Sequence, residues 1–190
     1  MLWVSLLTFL FGVLAYFPIR FLALKCNVVD RPDGKLKTHS DATPYLGGLI
    51  VYAALLMGLF IEIYVLKFPA EPFFKGLFIA STFIVFLGVL DDMYRMSWIV
   101  KLLGQLLLVI IMFSYDIRVD FDFLPPIANS MITVLWMLFI INSYNIIDVS
   151  DGVSGITFAA FLASSAIIAT FTGDKGLALI IYPLIGGVFA

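Results

Sequence analysis

The stretch FFKGLFIASTFIVFLGVLDDMYR, residues 73–95, decides what kind of chain this is. From Phe73 to Leu90 it holds one charge, Lys75, and then two aspartates arrive side by side, Asp91 and Asp92. A helix of about 20 apolar residues crosses the roughly 30 Å of hydrocarbon in a bilayer. The stretch therefore reads as a membrane span ended by paired carboxylates at the water boundary.

Runs of the same kind lie on both sides of it. They cover about 2–24, 45–66, 97–115, 127–147 and 153–172, and a seventh starts near Gly176. The expected fold is an all-α polytopic membrane protein with about seven transmembrane helices, forming a single integral membrane domain over 1–190. Composition agrees: 63% of residues are hydrophobic and 13% charged, with mean hydropathy +1.11. Soluble domains are roughly half apolar and a quarter charged, so a soluble core is excluded. A formal net charge of -2 leaves no basic footprint for nucleic acid. The lone cysteine, Cys26, can form no intramolecular disulfide and reads as a small apolar filler. Met1-Leu2-Trp3-Val4 lacks the basic start of a cleaved signal peptide, so the first run is expected to be a retained span.

One segment departs from the helical pattern. Residues 116–123, Asp-Ile-Arg-Val-Asp-Phe-Asp-Phe, alternate polar and apolar with period two and then meet Pro125-Pro126. That pattern predicts a short extracytoplasmic β segment near 116–124.

Seven spans alternate the connections between two sides. Arg20, Lys25, Arg31, Lys35, Lys37, Arg95 and Lys101 fall on one side, and Lys67, Lys75, Arg118 and Lys175 on the other. The excess of basic residues marks the first side as cytoplasmic and puts the N-terminus outside. Glu62 and Lys67 are expected only to mark the opposite interface.

The same threading gathers three polar clusters on the cytoplasmic side. The first is the loop Asp30-Arg31-Pro32-Asp33-Gly34-Lys35-Leu36-Lys37-Thr38-His39, running on to Thr43-Pro44-Tyr45-Leu46-Gly47-Gly48. The second is Gly88-Val89-Leu90-Asp91-Asp92. The third is Asn142-Ser143-Tyr144-Asn145-Ile146-Ile147-Asp148-Val149-Ser150-Asp151-Gly152. Neighbouring carboxylates repel, and at a helix C-terminus the macrodipole adds to the penalty. Asp91, Asp92, Asp148 and Asp151 are all in that position, and a divalent cation would relieve it. Magnesium suits such a place, because it is a hard ion bound through one or two carboxylates plus substrate phosphates. Metal and lysines together can neutralise a transferring phosphoryl group. Lys35, Lys37 and Lys101 are the available cations, and Gly47-Gly48 would allow a ligand close to the backbone.

Plainer readings stand beside these. An Asp-Asp pair can be a solvated helix end, although ionisable groups at a membrane boundary are functional candidates by default. Asn142 and Asn145 can be interhelical glue. Lys101 can snorkel from one turn inside its span. His39, the sole histidine, can be an ordinary solvated loop residue.

The three clusters in this order resemble the polyprenyl-phosphate N-acetylhexosamine-1-phosphate transferases, a family that includes the muramoyl-pentapeptide and the N-acetylglucosamine branches. Asp30-Arg-Pro-Asp33, Lys37-Thr-His39 and Pro44-Tyr-Leu-Gly47-Gly48 are similar to its first cytoplasmic motif. Gly88-Val-Leu-Asp91-Asp92, followed by Lys101-Leu-Leu-Gly104-Gln105, resembles its aspartate pair. Asn142-x-x-Asn145-x-x-Asp148-x-x-Asp151-Gly152 resembles its third motif, with Val149 where glycine is usual. The Asp30-x-Pro form lies nearer the N-acetylglucosamine branch.

The resemblance implies about ten spans, an external N-terminus and an active site on the cytoplasmic face of the inner membrane. It implies attack of a polyprenyl phosphate on a UDP-N-acetylhexosamine, with magnesium or manganese as cofactor and UMP as product. Asp91 or Asp92 would orient or deprotonate the lipid phosphate. Asp148 and Asp151 would hold the metal and, with Asn145, face the nucleotide. Lys37, His39 and Lys101 would hold phosphate oxygens, and Gly47, Gly48 and Asn142 would complete substrate binding. Expected partners are the nucleotide sugar, the lipid carrier, the bilayer and a second copy in a homodimer. The family's next motifs, a Gly-Asp pair supplying a metal ligand and a histidine-rich loop, do not occur before Ala190, so the chain reads as the N-terminal part of a longer enzyme. Two other classes compete. An intramembrane prenyltransferase would want two DDxxD-like clusters, a spacing that Asp91-Asp92-Met-Tyr-Arg95 lacks. A transporter would want broken helices and ionisable groups near the midplane.

Overall fold

In the computed structural model, residues 2–25, 29–30, 43–44, 47–69, 72–147 and 153–190 are described. Seven helices account for most of them: α1 (Leu2–Lys25), α2 (Gly47–Phe60), α3 (Pro72–Tyr94), α4 (Trp98–Ser114), α5 (Pro126–Ile147), α6 (Val153–Thr172) and α7 (Lys175–Val188). A π-helical segment, Ile61–Val65, prolongs α2. The apolar runs become these helices because a chain in hydrocarbon must satisfy every backbone polar group within itself.

Five of the helices are long and apolar enough to cross a membrane, counting α2 together with its π-helical extension. The other two are shorter. At about 1.5 Å per residue, the 17 residues of α4 reach about 26 Å and the 14 of α7 about 21 Å. The chain is an all-α, multi-pass membrane protein.

Two compact units divide the described helices. One comprises Met1–Pro69 with Ser150–Ala190, the other Ala70–Val149. In the first unit, α1, α2 and α7 pack on one another and α6 packs on α7. Small residues permit this. Gly58 of α2 lies directly against Pro183, and Gly186 of α7 lies against Thr8 and the backbone of Ser5 and Phe9. A Cβ at Gly58 or Gly186 would collide with its neighbour, so α7 approaches α2 and α1 almost backbone to backbone, as membrane helices rich in small residues do. The Ser5 hydroxyl donates to the Tyr182 carbonyl at 2.8 Å across the α1–α7 contact. Between α1 and α2 a two-residue antiparallel ladder pairs Val29 with Pro44 and Asp30 with Thr43, drawing together the ends of the intervening loop.

In the second unit, α4 packs against α3 on one side and α5 on the other. One expectation fails here. The period-two segment after α4 forms turns and irregular backbone and no strand. Its backbone amides find side chains of α5 in place of a partner strand. Val119 N–H donates to Thr133 Oγ1 at 3.1 Å and Phe121 N–H to Asn129 Oδ1 at 3.2 Å. Asn129 Nδ2 returns bonds to Asp120 Oδ1 at 2.9 Å and to the Phe121 carbonyl at 3.2 Å. In the first unit, Glu62 is more enclosed than a residue at the end of a span need be. It is 2% exposed, packed inside the first unit and not open to solvent, and its Oε1 finds no hydrogen-bond partner among the described residues.

Candidate functional site

The second unit brings together one end of three helices. Asp91 and Asp92 stand in the last turn of α3, which ends at Tyr94. Arg95 adopts a left-handed backbone, φ 48°, and turns the chain out of the helix. Asp91 closes that exit: Arg95 N–H donates to its carbonyl at 2.7 Å and Met96 N–H to its Oδ1 at 3.0 Å. Only residues 95–97 separate α3 from α4, so the first turns of α4 come back beside the last turns of α3.

That return places Lys101 against Asp91, with Nζ 2.6 Å from Oδ2. The lysine neither snorkels alone nor waits unpaired. Both groups are partly exposed, at 37% and 28%, so the ion pair lies at a surface that a ligand can reach. Asp92 is exposed on the same turn.

Four residues beyond Lys101, and so on the same face of α4, comes Gln105, which is 3% exposed. It forms a reciprocal amide pair with Asn142 of α5. Gln105 Nε2 donates to Asn142 Oδ1 at 3.3 Å, and Asn142 Nδ2 donates to Gln105 Oε1 at 2.9 Å. Asn142 Nδ2 also donates to the Leu138 carbonyl at 2.8 Å. Asn145, three residues on, is exposed in the last turn of α5. Asp91, Lys101, Gln105 and Asn142 thus run as a polar line across α3, α4 and α5. Sequence reasoning singled out all of these except Gln105. Its signal was an amide within an apolar run, one helical turn after the lysine.

Lys37, His39, Asp148 and Asp151 lie outside the described residues. Gly47 and Gly48 open α2 in the first unit, both exposed, and a Cβ at either would meet nothing within 4 Å. No described part of the chain crowds them.

Lys101 and the Met96 amide both meet the Asp91 carboxylate. No group of three or more His, Cys, Asp or Glu suited to a metal occurs among the described residues. Asp148 and Asp151, the two carboxylates expected from the sequence to hold a metal, stand three residues apart after α5, outside the described residues.

A model of glycosyl transferase family 4 matches residues 74–190. Among curated proteins, the chain is 32% identical over 186 residues to the Bacillus subtilis protein named "Probable undecaprenyl-phosphate N-acetylglucosaminyl 1-phosphate transferase", covering 93% of this chain and 49% of that one. It is 31% identical over 164 residues to the undecaprenyl-phosphate alpha-N-acetylglucosaminyl 1-phosphate transferase of Thermotoga maritima, covering 85% and 49%. It is 27% identical over 191 residues to the Escherichia coli K12 protein of the same name, covering 95% and 50%. The chain therefore spans about half the length of the curated relatives it matches. No solved structure matches.

Proposed function

This chain belongs to glycosyl transferase family 4, and from that premise we propose that the protein transfers N-acetylglucosamine 1-phosphate from its UDP derivative to undecaprenyl phosphate. An oxygen of the lipid phosphate forms a bond to the sugar-bearing phosphorus. The bond from that phosphorus to the bridging oxygen breaks, and UMP leaves with the oxygen. Support comes from relatives named for this sugar and this lipid and from the Asp91–Lys101 pair at 2.6 Å. That pair carries the site reading: it is a lysine held at a membrane-helix end, with a second carboxylate, Asp92, exposed beside it.

The chain's own work is positioning and charge neutralisation, as in phosphoryl transfers generally. Lys101 takes a phosphate oxygen in exchange for Asp91, and the released carboxylate or Asp92 orients the attacking lipid phosphate or accepts its proton. Asn145, with Lys37 and His39 from the first loop, completes the contacts to phosphate and nucleotide. Asp148 and Asp151 would hold magnesium, or manganese in its place, which supplies charge neutralisation on the phosphate oxygens when bound. We place this chemistry on the cytoplasmic face of the inner membrane, from the excess of lysine and arginine on that side.

The test is release of UMP by membranes bearing the protein, supplied with the nucleotide sugar and the lipid phosphate. Asp92→Asn is expected to abolish release with the protein level unchanged, and EDTA to stop the wild type. Near-normal turnover of Asp92→Asn would sink that residue's role, and indifference to EDTA would sink the metal.

A further inference from the structure

Asn142 resembles a substrate-binding residue in its motif, but its bonding points elsewhere. A side-chain amide has two N–H donors. Both donors of Asn142 are engaged within the protein, one by Gln105 Oε1 and one by the Leu138 carbonyl. Its oxygen accepts from Gln105 as well. Gln105 is nearly fully buried, at 3% exposed, and its amide makes both bonds of the pair. A buried amide satisfied at two points fixes both distance and rotation between two helices, which a single hydrogen bond does not.

We propose that Gln105 is a positioning residue for the transfer site, and that Asn142 is its partner in that task and not a ligand of substrate. The pair sets the end of α5 against the turn of α4 that carries Lys101. Lys101 lies one turn before Gln105 on α4, and Asn145 lies nearly one turn after Asn142 on α5. Holding Gln105 to Asn142 therefore fixes the spacing between the lysine that meets phosphate and the polar end of α5. Reacting groups tolerate little displacement, since a shift of about 1 Å can lower a rate by about 100-fold. A register slip of one residue along α4 is about 1.5 Å, so the pair acts at the scale that matters. The inference rests on the transferase reading given above.

The chemistry of the two amides supplies the test. Gln105→Asn shortens one arm by a methylene, and Asn142→Gln lengthens the other by the same amount. The swapped double variant Gln105→Asn/Asn142→Gln keeps the total reach and both bonds. Turnover and KM for the nucleotide sugar and for the lipid phosphate are measured in the wild type, in Gln105→Leu, in Asn142→Leu, in their double variant and in the swap. The expected result is a kcat lowered roughly 10- to 100-fold in each single variant, with both KM values within about threefold of wild type. The Leu/Leu double variant is expected to be no worse than either single, and the swap to recover to within about fivefold of wild type. A KM raised by Asn142→Leu but not by Gln105→Leu, with no recovery in the swap, would overturn the proposal and return Asn142 to the substrate.

Thermal unfolding of the same variants in detergent is read in parallel and does not depend on activity. Non-additive shifts in Tm establish the pair, and additive shifts overturn it. Absence of transfer by the wild type itself would sink the transferase reading and, with it, the positioning role. The Tm cycle would then still show whether the amide pair forms.

Discussion

The two compact units are built from equally apolar helices, yet they are held together by different means. In the first, several glycines lie against a neighbouring helix's backbone or proline ring: Gly186 against the Ser5 carbonyl and the Phe9 amide, Gly187 against Val51 as well as the Ala54 side chain, and Gly58 against Pro183. In the second, glycines meet side chains, as Gly104 meets the methyl ends of Leu87. The helices there are tied instead by polar groups: Asp91 with Lys101, Gln105 with Asn142, and the loop after α4 with Asn129 and Thr133. Lipid tails offer no hydrophobic force between helices, so close packing and polar links are the two means available. The contrast teaches where chemistry can be built. Backbone-to-backbone contact leaves no room for functional side chains, whereas polar ties place charged and amide groups at reach of a ligand.

The largest effect expected from breaking this division is on activity in the second unit. Lys101→Met removes the cation at Asp91 and should lower UMP release about 100- to 1,000-fold, the range seen when one preorganised electrostatic contact to a reacting group is lost. Its thermal stability should change by less than about 1 kcal/mol, because partly exposed ion pairs contribute little. Turnover assays and thermal unfolding in detergent check the two halves. A large fall in stability with activity per folded molecule preserved would make the ion pair a structural tie only.

Next in size is a steric break in the first unit. Gly186→Leu forces a branched side chain into the backbone of α1, which cannot move aside as a side chain can, and should cost about 1–3 kcal/mol or more. Gly104→Ala in the second unit meets only the flexible end of Leu87 and should cost less than about 1 kcal/mol. Melting temperatures of the two variants compare them directly. Equal losses would erase the distinction between the units.

Most of the fold was legible because membrane thickness is a strict ruler: each helix, α2 counted with its π-helical extension, begins and ends within about two residues of the apolar run that predicted it, except α3, which continues through Asp91-Asp92 to Tyr94. The failures have physical causes. Period-two alternation at 116–123 looked like a strand, but a strand needs a partner, and Thr133 and Asn129 offered the backbone its bonds first. The burial of Glu62 was not legible either, because a charge near the end of a span ordinarily reaches water. Burial depends on what surrounds the position, which hydropathy along one chain does not contain. At the site, Asp91, Lys101 and Asn142 were legible as candidates by type and place. Their pairings were not, since those follow from how α3, α4 and α5 sit side by side. Gln105 was noted only as the end of Lys101-Leu-Leu-Gly104-Gln105 and given no role, because an amide in an apolar run carries no charge to draw attention, although its spacing of four from Lys101 was visible.

Glu62 offers the smallest effect and the finest probe of the contrast. Among the described residues it is a buried carboxylate in a unit joined mainly by close contacts of small residues, and its Oε1 has no partner there. A buried polar atom left unsatisfied costs about 1–3 kcal/mol, whereas an apolar side chain of the same shape loses nothing by burial. Methionine matches glutamate closely in length and fills irregular space. Glu62→Met should therefore raise the stability of the protein by about 1 kcal/mol in thermal unfolding, leaving UMP release unchanged. A loss of stability would mean that something outside the described residues holds the carboxylate. The first unit would then depend on a second polar tie besides Ser5–Tyr182, and the difference between the two would be one of degree.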